Sequence, residues 1–405
     1  MMTIYGKYTN AIVYADIIDE ETKAQIKVLT DQEFMKDTKV RIMADCHKGT
    51  GCVIGTTIEI KDKIVPNLVG VDIGCGMLTI NLGALDIDFS GLDSFIHNNI
   101  PSGMNVNQNI TKSNVKIDEL KCIKDIKRIN YLKKSLGSLG GGNHFIEIDI
   151  NSLGEYYLVI HSGSRNLGVQ VASIYQNKAI LYHENKVFNK KKEIERVIYE
   201  YKQLGIEKEI QKEIDRIKQT SVELSMPKEL CYLEGSDFDD YMFDMALCQK
   251  FASENRLELA RRIVNYLGLD IDNLKKFETI HNYINMEDKI LRKGAIGAYS
   301  SELVLIPLNM RDGCIIAKGK SNSEFNYSAP HGAGRVMSRA DAFRVLNVAD
   351  FKKSMEGIYS TTVDNKTLDE SPFVYKPIKS ILNNIKETVE VIEINKPVYN
   401  FKSEE

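Results

Sequence analysis

Nowhere in this chain do about 18 apolar residues run together, so no membrane-spanning helix is expected. The opening residues, MMTIYGKYTN, carry no basic stretch followed by an apolar one, and no secretory leader is expected from them. The seven cysteines are an odd number without regular spacing, which argues against a disulfide framework. No CxxC pair exists either, so a zinc-finger pattern is excluded. These absences make the cytoplasm the expected compartment. Strong charge of either sign is also missing: the formal net charge of −3 argues against indiscriminate coating of nucleic acid. A local basic cleft stays compatible with that balance, because local potential governs binding. No internal repeat is present.

What is present is an ordinary globular composition, 43% hydrophobic and 27% charged over 405 residues, enough for a large core. Length alone suggests two or three domains, but the texture suggests otherwise. Residues 1 to about 165 are rich in Gly, Val and Ile. IVPNLVGVDIGCGMLTINL and YYLVIHSGS read there as buried strands running into turns. Residues 170 to 268 are charged and helical, with Ile206, Ile210, Ile214 and Ile217 at helical spacing. Ser236 with Asp239 can cap a long helix from about Asp237, and Gly268 can end it. The lysines at 190–192 read as a solvated helix face rather than an RNA patch. From about 290 the strand-and-glycine texture returns, as in SELVLIPLNMRDGCIIAKG. The expectation is one domain over 1–405, with a helical insertion at about 170–268.

Five of the seven histidines sit in loop-like settings beside Gly, Asn or Ser: His47, His144, His161, His281 and His331. Function concentrates on loops held by rigid elements. His97 and His183 lack such settings and read as structural. Asp72-Ile-Gly-Cys75 puts an acid and a thiol in one tight turn. With imidazoles from His144, His161 and His281, this set can hold one or two divalent ions, the thiolate bridging. Imidazole and carboxylate suit Mn, Zn, Fe or Ni, while a thiolate alone favours Zn. Taken singly, Cys75 reads more readily as a small buried hydrophobe. In Pro330-His331-Gly332-Ala333-Gly334-Arg335, the glycines let backbone N–H groups approach an anion. Arg335 and Arg339 add guanidinium forks suited to phosphate. His331 could be a nucleophile, an acid–base group or a phosphate hydrogen-bonder, and the residues alone do not rank these. No GxxxxGK[ST] phosphate loop is present, and Gly49–Gly55 has the wrong spacing for a dinucleotide fingerprint. The lysine-centred KxDG motif of ordinary nucleotidyl-transferring ligases is missing too, its nearest string being Met310-Arg311-Asp312-Gly313.

Taken together, these motifs resemble the RtcB family of 3′-phosphate RNA ligases. The matching blocks are MADCHKGTGCVIGTT, VGVDIGCGM, LGSLGGGNHFIE, HSGSRNLG, YMFDMALCQKFASENR, ETIHN, LIPLNMRDG and PHGAGRVMSRADA, in the family's order. Each is weak alone; all of them in order are specific. The resemblance implies an α+β fold of stacked, mainly antiparallel sheets around a central metal site, with peripheral helices. It implies that Asp72, Cys75, His144, His161 and His281 hold two Mn2+ ions, and that His331 becomes covalently attached to GMP from GTP. It places Asn143, His144, Glu147, His281, Asn282, Pro307, Leu308, Asn309, Met310, Cys314, His331, Gly332, Ala333, Gly334 and Lys402 against the guanylate. Asp45, Arg165, Arg335 and Arg339 fall near RNA phosphate. If residues 143–147 are extended, Asn143 and Glu147 share one face and His144 the other.

The implied activity joins RNA 3′-phosphate or 2′,3′-cyclic phosphate ends to 5′-hydroxyl ends, in tRNA splicing or RNA repair. The implied partners are RNA and, as a candidate, an archease-like activator, with the enzyme a monomer. Cys314 departs from the family's usual serine, Cys46 from a small apolar residue, and Ser403-Glu404-Glu405 extend the tail. A di-metal RNA-end phosphoesterase on the same scaffold is the alternative reading, and a non-catalytic RNA-binding protein a more distant one.

Overall fold

The computed structural model describes residues 1–15 and 18–403. The fold is α+β, with two large sheets whose pairings are antiparallel except for Asn10–Val13 against Val40–His47. One sheet has six strands in the order Met2–Tyr5, Asn10–Val13, Val40–His47, Ile54–Glu59, Ile290–Lys293, Asn282–Ile284. The other has seven: Lys276–Ile280, Gly76–Gly83, Tyr156–Ser162, Phe145–Ile150, Val389–Lys402, Gly313–Gly319, Leu303–Asn309. This second sheet draws strands from both sides of the helical stretch. His281 alone separates Lys276–Ile280 of one sheet from Asn282–Ile284 of the other. That single residue therefore marks where the chain crosses between sheets.

Local readings hold unevenly. Tyr156–Ser162 is a strand, as its apolar run suggests. The run from Ile64 to Leu82 is a strand at its ends, Lys63–Ile64 and Gly76–Gly83, but between them Pro66–Val69 forms a short helix, with the proline in its first turn where a missing N–H costs nothing. Ile206 lies in a turn, and Ile210–Gln219 is the helix, burying Ile217. The lysines at 190–192 start the exposed helix Lys190–Gln203, whose Arg196 pairs with Glu193 and Glu200. Ser236 is the first residue of its helix rather than the cap; Gly235 precedes it with no side-chain cap bond. At the other end Gly268 takes φ +75°, the left-handed turn that stops a helix. Glu404 and Glu405, the end of the extended tail, lie outside the described residues.

Helix Ser236–Tyr266 is the backbone of the packing. Its first half buries Tyr241, Met245, Cys248 and Phe251 in a core shared with the six-stranded sheet. Its second half buries Leu259, Ile263 and Val264 against Leu78, Ile80, Ile146 and Ile160 of the seven-stranded sheet. Each such side chain contributes about 1.5–3 kcal/mol by leaving water. Among the described residues no helix is long and apolar enough to cross a membrane.

Leu259, with no exposed surface, is expected to cost about 2–5 kcal/mol on replacement by Ala. Leu181→Ala, at a site 57% exposed, is expected to stay within about 0.5 kcal/mol. Urea unfolding of the two variants checks the contrast.

Candidate functional site

The two sheets meet around a cavity of about 330 Å³. Its inner end is walled by Asp72, Cys75, His161, His281 and His331. Asp72 and Cys75 stand on the turn that precedes strand Gly76–Gly83. That turn passes so close to helix Ser236–Tyr266 that a side chain at Gly74 would lie 2.9 Å from the Gln249 Cα, and Gly74 also has φ +77°. Gly163 has a different reason: a Cβ there would occupy the position of the Asp72 carboxylate. His161 is the last but one residue of strand Tyr156–Ser162, and His144 precedes strand Phe145–Ile150.

Cys75 Sγ lies 3.5 Å from His144 Nε2 and 3.3 Å from His161 Nε2. His144 Nε2 lies 3.3 Å from Asp72 Oδ2. The potential ligand atoms form two groups, Asp72–Cys75–His144 and Cys75–His161–His281, each with all atoms within 4.8 Å. Ligands about 2.0–2.3 Å from one ion sit no more than about 4.5 Å apart, so both groups are close to the dimensions of an ion site. Cys75 belongs to both, as a bridging thiolate would.

The imidazoles are oriented for ligation. His144 Nδ1 faces the Leu139 carbonyl at 2.9 Å and His161 Nδ1 the Asn143 carbonyl at 3.1 Å. Each Nδ1–H donates outward, leaving Nε2 with its lone pair toward Cys75. His281 Nδ1 is buried without a hydrogen-bond partner, a costly state that a cation would relieve.

Electrostatics agree. Burial, followed by neighbouring imidazole charge, holds His161 and His281 well below the usual histidine range, so both are neutral. Burial pushes Asp72 up, but the hydrogen bond and charge of His144 outweigh it and bring the carboxyl down to about 2. Burial, then Asp72, raises the Cys75 thiol well above its usual value. The donor set fits one or two divalent cations.

His331 stands beside this cluster, its ring centroid 5.1 Å from that of His281. Its Nδ1 lies 2.7 Å from Asp45 Oδ2, and the same oxygen accepts the backbone N–H groups of His331 at 3.0 Å and Gly332 at 3.3 Å. Asp45 is buried, so it holds the ring in one orientation with Nε2 free. Asp45, expected near RNA phosphate, is placed directly behind His331. Its carboxylate oxygen is committed to the 331–332 segment, and one negative charge would repel another.

The outer end of the cavity is lined by Asn143, Phe145, Glu147, Asn282, Pro307–Met310, Gly332–Gly334, Arg335, Arg339 and Lys402. Asn143, Phe145 and Glu147 face the cavity while His144 turns to the metal group, the alternation expected of an extended segment. Burial and the neighbouring Asp149 raise Glu147 well above the usual carboxyl range; its Oε2 accepts from Asn400 Nδ2 at 2.6 Å.

Four expected residues are not on the wall: Asp45 and His144, which stand behind His331 and in the metal group, and Cys314 and Arg165. Cys314 is buried behind the wall with Met77 and Phe145, its thiol donating to Asp149 Oδ2 at 2.7 Å. It pairs with Pro307 in the strand register and shares its face, but only the proline reaches the cavity wall. Arg165 donates from Nε to Ser138 Oγ at 3.0 Å and from Nη2 to the Gly103 carbonyl at 2.8 Å, tying down the loop before His144.

The cavity residues that escape sequence reasoning include Phe145, Glu370, Tyr375 and Asn400. Glu370 organises the outer end. It pairs with Lys402 at 2.9 Å and Arg339 at 3.0 Å, lies 3.6 Å from Arg335, and accepts from Tyr375 Oη at 2.7 Å. Burial opposes its charge, but Lys402 and Arg339 outweigh burial and keep the carboxyl below its usual value. Its setting, ESPFVYK, has no glycine or histidine to mark it. His47, noted for its loop setting but given no role, also lines the cavity. His97, against Thr361, and His183, against Tyr232, lie outside it.

Comparison with known proteins adds an independent finding. A family profile described as tRNA-splicing ligase RtcB matches residues 25–131 and 123–403. The chain is 29% identical over 392 residues to the RNA-splicing ligase RtcB of Escherichia coli (strain K12), covering 87% of each chain. It is 26% identical over 471 residues to the tRNA-splicing ligase RtcB of Aeropyrum pernix, covering 92% of this chain and 90% of the relative. It is 25% identical over 436 residues to that of Nanoarchaeum equitans, covering 84% and 83%. With nearly its whole length matched, the chain belongs to the RtcB family.

Proposed function

We propose that this RNA ligase joins RNA 3′-phosphate ends, or 2′,3′-cyclic phosphates once opened, to 5′-hydroxyl ends, using GTP, two Mn2+ ions and a guanylate carried on His331. The observation that supports this reading is the Asp45–His331 pair beside the Asp72, Cys75, His144, His161 and His281 cluster, with one cavity opening onto both. Divalent ions held by those five residues would neutralise phosphate charge and orient it for in-line attack.

The remaining chemistry belongs to side chains. Asp45 accepts from His331 Nδ1–H, which fixes the tautomer with a lone pair on Nε2 and stabilises positive charge arising on the ring. Nε2 bonds to the α-phosphorus of GTP as the bond to the bridging oxygen breaks and pyrophosphate leaves. An oxygen of the RNA 3′-phosphate then takes the guanylate, the P–N bond breaks, and His331 is regenerated. Last, the 5′-hydroxyl oxygen attacks the activated phosphorus, loses its proton, and GMP departs.

Arg335, Arg339 and Lys402 supply positive charge at the outer end, where Phe145 offers an apolar face. Glu147 is the reader of the base. Its carboxyl resists ionisation beside Asp149, and guanine, with N1–H and an amine to donate, offsets that cost where adenine does not. Joining of tRNA halves and repair of cleaved RNA present the same ends, and this site serves either.

Incubation with α-labelled GTP and Mn2+ is expected to place acid-labile label on the protein and none on His331→Ala. Metal binding without label would instead favour an RNA-end phosphoesterase. Asp45→Asn, which disturbs the tautomer but not the cavity, is expected to slow labelling by about 100-fold or more while GTP affinity stays within about threefold. Rapid-quench labelling with parallel equilibrium binding separates the two effects. Glu147→Gln is expected to reduce the preference for GTP over ATP by about 10- to 100-fold, read from competition in the same labelling assay.

A further inference from the structure

Asn255 and Arg256 stand midway along helix Ser236–Tyr266, both without exposed surface. The helix lies in one hydrophobic core up to Phe251 and in the other from Leu259. Two adjacent polar side chains buried at that junction are expensive unless their hydrogen bonds are made. Nearly all are. Asn255 Oδ1 accepts from the backbone N–H of Gly137 at 2.7 Å and of Ser138 at 3.2 Å. Its Nδ2 donates to the Ser138 carbonyl at 3.1 Å, Ser162 Oγ at 3.0 Å and the Gly163 carbonyl at 3.3 Å. Arg256 Nη1 donates to the carbonyls of Gly74 at 2.8 Å and Ser162 at 2.6 Å, and Nε donates to Glu278 Oε1 at 2.7 Å.

Gly74, Ser162 and Gly163 adjoin proposed metal ligands, and Ser138 and Glu278 connect to the others through one further step. Gly74 lies between Asp72 and Cys75. Ser162 and Gly163 follow His161, and Glu278 is on the strand that leads into His281. Ser138 precedes Leu139, whose carbonyl accepts from both His144 Nδ1 and Ser162 Oγ. All four segments that carry the five ligands are thus tied to one turn of one helix.

We infer that Asn255 and Arg256 are positioning residues of the divalent-metal centre, fixing the mutual distances of the Asp72, Cys75, His144, His161 and His281 side chains and thereby its ion affinity. The inference rests on the metal reading of that cluster. Loops left free must be ordered by the ion at a cost in affinity, whereas loops held in advance cost the ion nothing. Groups that hold ligands from behind are typically worth 10- to 100-fold in metal affinity. The planar fork of Arg256 reaches two carbonyls and a carboxylate at once. A lysine keeps the charge opposite Glu278 but not that geometry.

The test uses full-length protein and metal alone. Mn2+ binding is followed by the electron paramagnetic resonance signal of the free ion, and Co2+ binding by its thiolate charge-transfer band. Arg256→Lys and Asn255→Asp are expected to weaken Mn2+ binding by about 10- to 100-fold and to alter the Co2+ band at equal occupancy. Circular dichroism in EDTA confirms folding. Glu278→Gln, which loosens the fork while keeping its carbonyl bonds, is expected to weaken binding by about 3- to 10-fold and carries the test if the other variants do not fold. Folded variants, Glu278→Gln included, that bind Mn2+ within twofold of the parent with an unchanged Co2+ band overturn the inference and leave the metal reading intact. A parent protein that binds neither ion overturns the metal reading itself.

Discussion

The organising constraint in this molecule is the convergence of one carboxylate, one thiol and three imidazoles in a space largely closed to water. His144, His161, His281 and Cys75 are each buried, and Asp72 keeps only 31% of its side chain open. Polar groups so placed cost free energy unless something satisfies them. Protein partners do this only in part: two imidazoles find backbone carbonyls, while His281 Nδ1 finds nothing. The arrangement persists because larger forces over-determine it. Two hydrophobic cores share one helix, and strand Gly76–Gly83, which follows Cys75, pairs directly with the strand carrying His161, with Met77 opposite His161. Stability gained in the cores holds an unfavourable polar arrangement in place, which is the usual condition of a preorganised site.

A second balance operates at the outer end of the cavity. Lys402, Arg339 and Arg335 would repel one another in a buried space, and Glu370 lies between them. The carboxylate neutralises part of that charge and draws the cations inward from two chain segments, 335–339 and the last strand. The cavity is therefore charge-compensated at one end by an internal acid, and at the other polarised by neutral imidazoles and a protonated thiol. A triphosphate spanning the two meets cations already gathered at one end and, at the other, the cluster proposed to hold Mn2+.

The sequence made the inner end of this site readable and left much of the outer end hidden, for physical reasons. Glycine beside histidine or aspartate marks places where backbone and side chain approach closely, so Asp72, Cys75, His144, His161, His281 and His331 stood out. Gly74 and Gly163 show the cause, since a Cβ at either would meet the neighbouring helix or the Asp72 carboxylate. Glu370 and Tyr375 sit in ordinary polar and apolar surroundings, and among 56 acidic residues nothing local distinguishes the one that is buried against three cations. Long-range placement also decided the misreadings. Cys314 pairs with Pro307 and shares its face, yet its thiol is buried against Asp149, a placement that only the packing of the folded chain decides. In the fold, the apolar run at Ile64–Val71 suggested a strand, and Pro66 instead opened a helical turn.

Asp45 shows how a residue can be found for one reason and placed by another. It was singled out as an acid near phosphate, where its charge would work against binding. On strand Val40–His47 of the six-stranded sheet it faces His331, which comes from a segment far along the chain. The pair therefore joins the six-stranded sheet to the 331–334 turn, while His281 marks the chain's crossing to the seven-stranded sheet, and the two imidazoles meet with centroids 5.1 Å apart. The proposed nucleophile, fixed from one sheet, and the proposed ligands, fixed largely from the other, share one cavity. A change in the spacing of the sheets would thus alter the reach of His331 Nε2 toward a metal-held phosphate before it altered either element alone. The distance between the sheets is set by the cores, so the same apolar packing that stabilises the fold also sets the geometry of attack.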